Sequence, residues 1–522
     1  MSHEPVEVFD TTLRDGMQVE GVSATVDDKL RIAEQLDYLG VHFIEGGWPG
    51  ANPKDIEFFA RAATELRLDT STMVAFGSTR RPKGKVDDDA TLRNLLDANT
   101  TAVCIVAKSW DYHVLNALQT TLDEGEAMIA DSVAFLTGHG RQVLVDMEHF
   151  FDGYKRNPEF ALRALEAAVV KGASHVVLCD TNGGSLPHEV EAIVTDVHRH
   201  VGGDVIIGIH CHDDTGCAVA NTMAAVKAGA RHVQGTLNGL GERTGNCNLT
   251  TVIPNLQLKL GMPCLPEGRI ERLTAVSHHV AEVLNRPLNP QAPYVGASAF
   301  AHKAGLHVSA IARAKDAYEH VDPELVGNGT RFVVSEMAGR ATIQMKATEL
   351  GLPMDGPAVN QVIDDLKRLE HEGYHFEAAD ASLELLMRRA AGWQHDFFRV
   401  ESMRVITDEV ANGDFTTEAT VKVWIGDQRH VQTAEGNGPV NAIDSAMRAA
   451  IGGSYPLLSK VHLTDYKVRI LDGATATGAT TRVLIDATNG DRSWTTIGVS
   501  PNIIEASWRA LEESLVYGLL HV

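Results

Sequence analysis

Val205-Ile206-Ile207-Gly208-Ile209-His210-Cys211-His212-Asp213-Asp214 is an apolar run that ends in chemically capable side chains. A short run with no polar alternation marks a strand buried on both faces, as in a parallel sheet covered by helices. Within a strand, His210 and His212 stand at i and i+2, so both imidazoles point to one face and Cys211 to the other. The same grammar repeats on both sides of this stretch. Strand-like segments fall at 6–10, 42–47, 71–77, 102–108, 142–149, 175–181, 204–212 and 232–238. Helical patterns follow them at 26–39, 53–66, 89–97, 111–137, 158–171, 187–200, 216–228 and 249–260. Eight such units in succession predict an α/β architecture closed as a (β/α)₈ TIM barrel.

Polar residues collect at the C-terminal ends of these strands. Arg14 and Asp15 follow the first strand, and Glu45 and Glu148 end the second and fifth. Thr181, His210 and His212, and the Asn238-to-Asn246 stretch close the sixth, seventh and eighth. Barrels of this class hold their active sites at that mouth, so residues far apart in the chain are expected to converge there. Asp15, His210, His212 and, as a further oxygen donor, Asn246 form a candidate divalent-metal set. Mixed nitrogen and oxygen ligation suits Mg²⁺, Mn²⁺, Zn²⁺ or Co²⁺, and the residues leave that choice open. The bland alternative is a pair of histidines hydrogen-bonded in a barrel core.

Arg14 suits a 2-oxo group or a developing alkoxide, or else a structural ion pair with Glu45 or Asp10. Thr181 is placed to hydrogen-bond a substrate carboxylate. Glu148 is placed to orient a ligand or a water, with a buried pairing to Arg14 as the alternative. His302 and His307 are proton-acceptor candidates near neutral pH, set against a reading as helix-surface histidines. The basic cluster Ser78-Thr79-Arg80-Arg81-Pro82-Lys83-Gly84-Lys85 reads as a solvated loop more readily than as a site for the phosphates of a nucleotide-like cofactor.

The formal net charge of −23 argues against nonspecific nucleic-acid binding, which needs a basic surface. Six cysteines without a Cys-x-x-Cys pair point to reduced thiols. The N-terminus shows no basic, apolar leader, and no run is long enough to span a bilayer, so a cytoplasmic protein is expected. The expected domains are a catalytic barrel over 1–265, helical linker subdomains over 266–392 and a C-terminal unit over 393–522. Helices are expected in the linker at 271–284, 299–314, 357–372 and 380–391. The last unit reads as a duplication, since three strand candidates and a helix occur twice. Such a βββα pair suggests a regulatory or dimerising module.

Four strings then carry a resemblance. They are Asp10-Thr11-Thr12-Leu13-Arg14-Asp15-Gly16, Glu45-Gly46-Gly47-Trp48-Pro49, His210-Cys211-His212-Asp213-Asp214 and Asn238-Gly239-Leu240-Gly241-Glu242-Arg243-Thr244-Gly245-Asn246. With the Ala301-to-His307 segment and the C-terminal duplication, they resemble the isopropylmalate, homocitrate and citramalate synthase family over the whole chain. The Gly-Gly-Trp string is most similar to the citramalate branch. That resemblance implies an acyltransferase that condenses acetyl-CoA with pyruvate and feeds isoleucine synthesis. The alternative is condensation with 2-oxoisovalerate in leucine synthesis. It also implies a metal at Asp15, His210, His212 and Asn246, and 2-oxo acid contacts from Arg14, Glu148 and Thr181. His307 and Tyr318 match positions implicated in deprotonating acetyl-CoA, with His302 as the alternate. Isoleucine as effector and a homodimer follow from the same resemblance. Two further readings compete: a related metal-barrel lyase, and an amino-acid sensor on an inert barrel.

Overall fold

The computed structural model describes residues 4–203, 205–303, 310–311, 314, 318–335, 337–409 and 413–521. The chain divides into two compact units, Met1–Phe300 with His320–Thr330, and Ala301–Glu319 with Arg331–Val522.

The first unit is a closed parallel barrel of eight strands. They are β1 (Glu7–Asp10), β2 (Phe43–Gly47), β3 (Thr72–Ser78), β4 (Ala102–Lys108), β5 (Gln142–Glu148), β6 (His175–Asp180), β7 (Ile206–Cys211) and β8 (His232–Gly235). Closure is a β1–β8 ladder in which Glu7 faces His232 and Asp10 faces Gly235. Between them run α1 (Val26–Leu39), α2 (Pro53–Glu65), α3 (Ala90–Asp97), α4 (Asp111–Asn116), α5 (Leu122–Gly138), α6 (Phe150–Arg156), α7 (Pro158–Val170), α8 (Pro187–Val201) and α9 (Ala218–Lys227). Helix α10 (Leu249–Pro254) follows β8, and α11 (Leu273–Val283) comes next. Helix starts are capped as their sequences direct. Thr25 and Asp28 close a capping box on α1, and Asn52 with Pro53 opens α2.

The barrel packs in two layers. Outward strand side chains such as Val8, Ile44, Ala75, Val103, Val145 and Ile209 meet the helices. Inward side chains Phe9, Phe43, Val74, Phe76, Cys104 and Leu144 fill the interior. Cys211 lies with the outward layer, opposite the face of its flanking histidines. All six cysteines are free thiols. The helix expected over 111–137 is two helices. Gln119 takes a left-handed conformation, and the Thr121 side chain caps α5.

The second unit opens with a two-stranded parallel pair, β9 (Ala301–His302) and β10 (Arg331–Phe332). The helix expected from 299 therefore does not begin there: His302 sits in a strand, where its carbonyl accepts from the Val333 amide. Helices α12 (Arg340–Glu349), α13 (Gly356–His371) and α14 (Asp380–Ala390) follow. Next come β11 (Arg399–Glu409), β12 (Phe415–Ile425), β13 (Gln428–Gly436) and α15 (Pro439–Ile451). The pattern then repeats as β14 (His462–Ile470), β15 (Thr481–Thr488), β16 (Ser493–Ser500) and α16 (Ile503–Leu520). Each strand triplet is an antiparallel sheet with β12 or β15 central. Their alternating inward residues, Ala419, Val421 and Val423 with Val483, Ile485 and Ala487, share one core with α15 and α16. Among the described residues, no helix is long and apolar enough to cross a membrane.

Candidate active site at the barrel mouth

The turn after β1 is built by its own side chains. The Asp10 carboxylate accepts from the Thr12 amide at 2.8 Å and the Thr12 hydroxyl at 3.0 Å. The Thr11 hydroxyl donates to Glu45 at 2.5 Å, and Arg14 Nε donates to the same oxygen at 2.7 Å. This turn delivers Asp15, 3 % exposed, to the barrel axis. There Asp15 Oδ2 lies 3.4 Å from His210 Nε2, 3.9 Å from His212 Nε2 and 3.2 Å from Arg14 Nη1. One donor atom from each of Asp15, His210 and His212 falls within 4.8 Å of the other two, and all three residues are buried.

Asn246 reaches the same place by a bridge between its backbone and that of His212. Its Nδ2 donates to the Leu240 carbonyl at 3.1 Å. Its Oδ1 is buried and has no hydrogen-bond partner among the described residues. An orphaned amide oxygen is costly in a protein interior. Beside a carboxylate and two imidazoles, it completes a donor set that fits a divalent cation. Gly245 makes this loop possible: at φ +98° a Cβ there would lie 2.0 Å from the Gly239 carbonyl oxygen.

The electrostatics favour the ligating form of Asp15 and His212, whereas burial of His210 is outweighed by the charges of Asp15 and Asp146, which raise it, so a cation there displaces a proton. Burial alone would raise the Asp15 pKa, but Arg14 and His210 outweigh it and hold the carboxyl well below the usual range. Burial and neighbouring His210 lower His212 to about 4, which leaves its ring neutral, the form that ligates. Beneath them, burial pushes both Glu45 and Asp146 up, and the Asp146 charge adds to the rise at Glu45.

The donor set opens into a cavity of about 270 Å³. Arg14, Glu148 and Thr181 line it, together with Trp48, Phe76, Val106, Asp146 and Cys179. Phe76 lies 3.9 Å beneath the Arg14 guanidinium and meets Trp48 edge-on at 5.4 Å between ring centroids. Trp48 is placed by Asp55, which accepts from the Trp48 amide at 3.0 Å and pairs with buried Lys29 at 2.6 Å. The preceding Gly47, at φ +145°, has no room for a Cβ, which would lie 2.7 Å from the Asp55 carboxyl carbon.

Glu148 pairs with Lys108, not with Arg14. Arg14 makes its structural ion pair with Glu45 and lines the cavity as well. Thr181 Oγ1 accepts from the His149 amide at 2.9 Å. The basic run after β3 is structural at its start: Arg80 is buried between Glu124 and Asp131. His302 is in the second unit, where its Nε2 lies 3.4 Å from Glu319; Tyr318 is 45 % exposed. His307 lies outside the described residues.

Lys108, Val106, Phe76, Asp146 and Gln234 were not among the sequence candidates. Period-two counting would have found one of them: Asp146 is two residues before Glu148 on β5 and shares its inward face.

Three family profiles tile the chain. The HMGL-like family matches residues 5–280, the homocitrate synthase post-HMGL domain-like family matches 294–374, and the LeuA allosteric (dimerisation) domain matches 377–519. An (R)-citramalate synthase of Streptomyces coelicolor is 55 % identical over 98 % of this chain and 96 % of its own. The chain belongs to the (R)-citramalate synthase family. An (R)-citramalate synthase of Aquifex aeolicus is 50 % identical over 99 % of this chain and 98 % of its own. A probable 2-isopropylmalate synthase of Methanopyrus kandleri is 32 % identical over 97 % and 96 %.

Proposed function

We propose that this chain condenses acetyl-CoA with pyruvate and water to give citramalate and CoA. The observation that carries the reading is the buried Asp15, His210, His212 and Asn246 set opening into a small cavity narrowed by Trp48, Phe76 and Val106. Those four residues would hold a divalent cation, with Mg²⁺ or Mn²⁺ first and Zn²⁺ or Co²⁺ as alternatives. Such a cation supplies Lewis-acid polarisation of the 2-oxo group. Arg14 adds a fixed positive charge where alkoxide charge develops, held in place by Glu45 and Phe76. The Thr181 hydroxyl takes the substrate carboxylate, and Glu148 orients the ligand or the hydrolytic water.

A base removes a proton from the acetyl methyl group. The resulting carbanion forms the new C–C bond, and the keto π electrons pass to oxygen, which is then protonated. Water cleaves the thioester and releases CoA, which makes the sequence irreversible. The base is assigned to His307, acting with Tyr318, and His302 is the alternate. That assignment rests on the resemblance of the 301–318 segment. The duplicated C-terminal module is assigned to homodimerisation and to binding isoleucine as a feedback effector.

The test follows CoA thiol release from acetyl-CoA with Mn²⁺ or Mg²⁺, offering pyruvate and 2-oxoisovalerate in parallel. A strong preference for pyruvate is expected. Preference for 2-oxoisovalerate would overturn the substrate assignment and place the chain in leucine synthesis. Absence of release with either, in metal-loaded protein, would overturn the condensation itself.

A further inference from the structure

A line of buried polar side chains descends the barrel axis from His210, and the proposed chemistry uses none of it. Gln234 on β8 is wholly buried. Its Oε1 lies 2.8 Å from His210 Nδ1. Its Nε2 lies 3.0 Å from Asp146 Oδ1 and 3.5 Å from His232 Nε2. His232 Nδ1 in turn lies 3.3 Å from Glu7 Oε2, which also meets His175 Nε2 at 2.7 Å.

The Gln234 amide orientation, with its NH₂ toward the Asp146 carboxylate, sets the tautomers along this line. With Oε1 toward His210, the amide oxygen accepts, so Nδ1 of His210 carries the proton. Nε2 of His210, on the side facing Asp15, is then the ring atom that turns to a cation once the proton it shares with that carboxylate is displaced. The reversed amide would set an NH₂ group against Nδ1 and move the ring proton to Nε2, closing that atom to a cation. We infer that Gln234 is a positioning residue: its carboxamide holds His210 in the ligating tautomer, and Asp146 and His232 hold the carboxamide. The inference rests on the proposed metal reading of Asp15, His210 and His212.

The line also decides a second cluster. Glu7, His175 and His232 have the composition of a metal site, with donor atoms within 4.8 Å. A cation there would take the Nδ1 lone pair of His232 and move its proton to Nε2, against the Gln234 NH₂ group. Reversing the amide to relieve that clash would spoil His210. The two clusters therefore compete through one carboxamide, and the orientation it has favours a cation at the mouth over one between Glu7, His175 and His232.

The test is Mn²⁺ titration of the metal-free chain, read by calorimetry or by the free-ion spin resonance signal, beside its melting temperature. Wild type is expected to bind one Mn²⁺ per chain. Gln234→Met fills similar space without an acceptor and is expected to bind on the order of 10–100-fold more weakly, with a lower metal-free melting temperature because Asp146 and His232 lose their shared donor. Gln234→Glu keeps an acceptor opposite His210 and shares a proton with Asp146, so it is expected to restore most of the affinity. Should Gln234→Met fail to fold, the Gln234→Glu result carries the test alone, and a loss of tenfold or more in that folded variant would overturn the inference. Unchanged affinity in Gln234→Met would overturn the positioning role and leave the metal reading intact. Two ions of similar affinity per wild-type chain, one of them lost in His175→Asn, would overturn the competition between clusters. A wild-type chain that binds no Mn²⁺ would overturn the metal reading itself, and the inference with it.

Discussion

Val106 offers a direct measure of whether the cavity wall selects the 2-oxo acid. It lines the cavity and packs beside the interior cluster of Phe9, Phe43, Val74 and Phe76. Val106→Ala removes two carbons, the same number by which the isopropyl group of 2-oxoisovalerate exceeds the methyl of pyruvate. Each buried methylene is worth about 0.8 kcal/mol. Two carbons accommodated rather than excluded therefore amount to about 1.6 kcal/mol, roughly a 15-fold change in relative kcat/KM. The assay follows CoA thiol release with the two acids over a range of concentrations, in wild type and Val106→Ala, at saturating Mn²⁺. The expected result is a rise in the 2-oxoisovalerate-to-pyruvate ratio of up to that factor, carried mostly by improved use of the larger acid. The variant should also melt slightly lower, since Val106 is half-buried and its methyl groups pack on the interior cluster. A ratio unchanged within twofold, with both rates reduced together, would show that Val106 supports the barrel without touching the substrate's side chain. The size argument would then fail.

Other perturbations test separate parts of the structure. Chelation should abolish CoA release and added Mn²⁺ should restore it, whereas Asp15→Asn should stay inactive at any Mn²⁺ concentration that rescues wild type. Lys29→Met strands the Asp55 carboxylate beneath Trp48; a loss of about 3 kcal/mol in urea unfolding is expected, with a raised KM for the 2-oxo acid as the Trp48 loop loosens. Burial lowers His232 from 6.5 to about 4, so the unfolded chain binds the extra proton between those values. Stability tied to this group is intact above pH 6.5 and falls toward pH 4 with a slope of about 1.4 kcal/mol per pH unit. Metal-free His232→Asn should lack that component, and parallel stability curves for the two proteins would refute it. Isoleucine at a hundred times its Kd should stabilise the chain by about 2.7 kcal/mol and depress turnover; no shift in melting and no inhibition would remove it as the effector.

The barrel was legible because its strands announce themselves twice, by an unbroken apolar run and by a polar terminus. Ile206–Cys211 and His175–Asp180 show both marks, and the structure places their ends together at one mouth. Helix α12 was not legible, because only Thr342, Ile343 and Ala347 of its residues are buried and no apolar stripe marks it. The mouth residues Asp15, His210 and His212 were legible because metal ligands are chemically unusual side chains at strand ends. Gln234 was not, because an amide inside a strand looks like any polar interruption until the imidazole it faces is known. Its role depends on the direction of three hydrogen bonds, to His210, Asp146 and His232, drawn from residues up to 88 positions away. Ligand identity is a property of side-chain type and strand position, and a linear reading captures both. Ligand tautomer is a property of the partner behind the ligand, which only the closed barrel brings into contact.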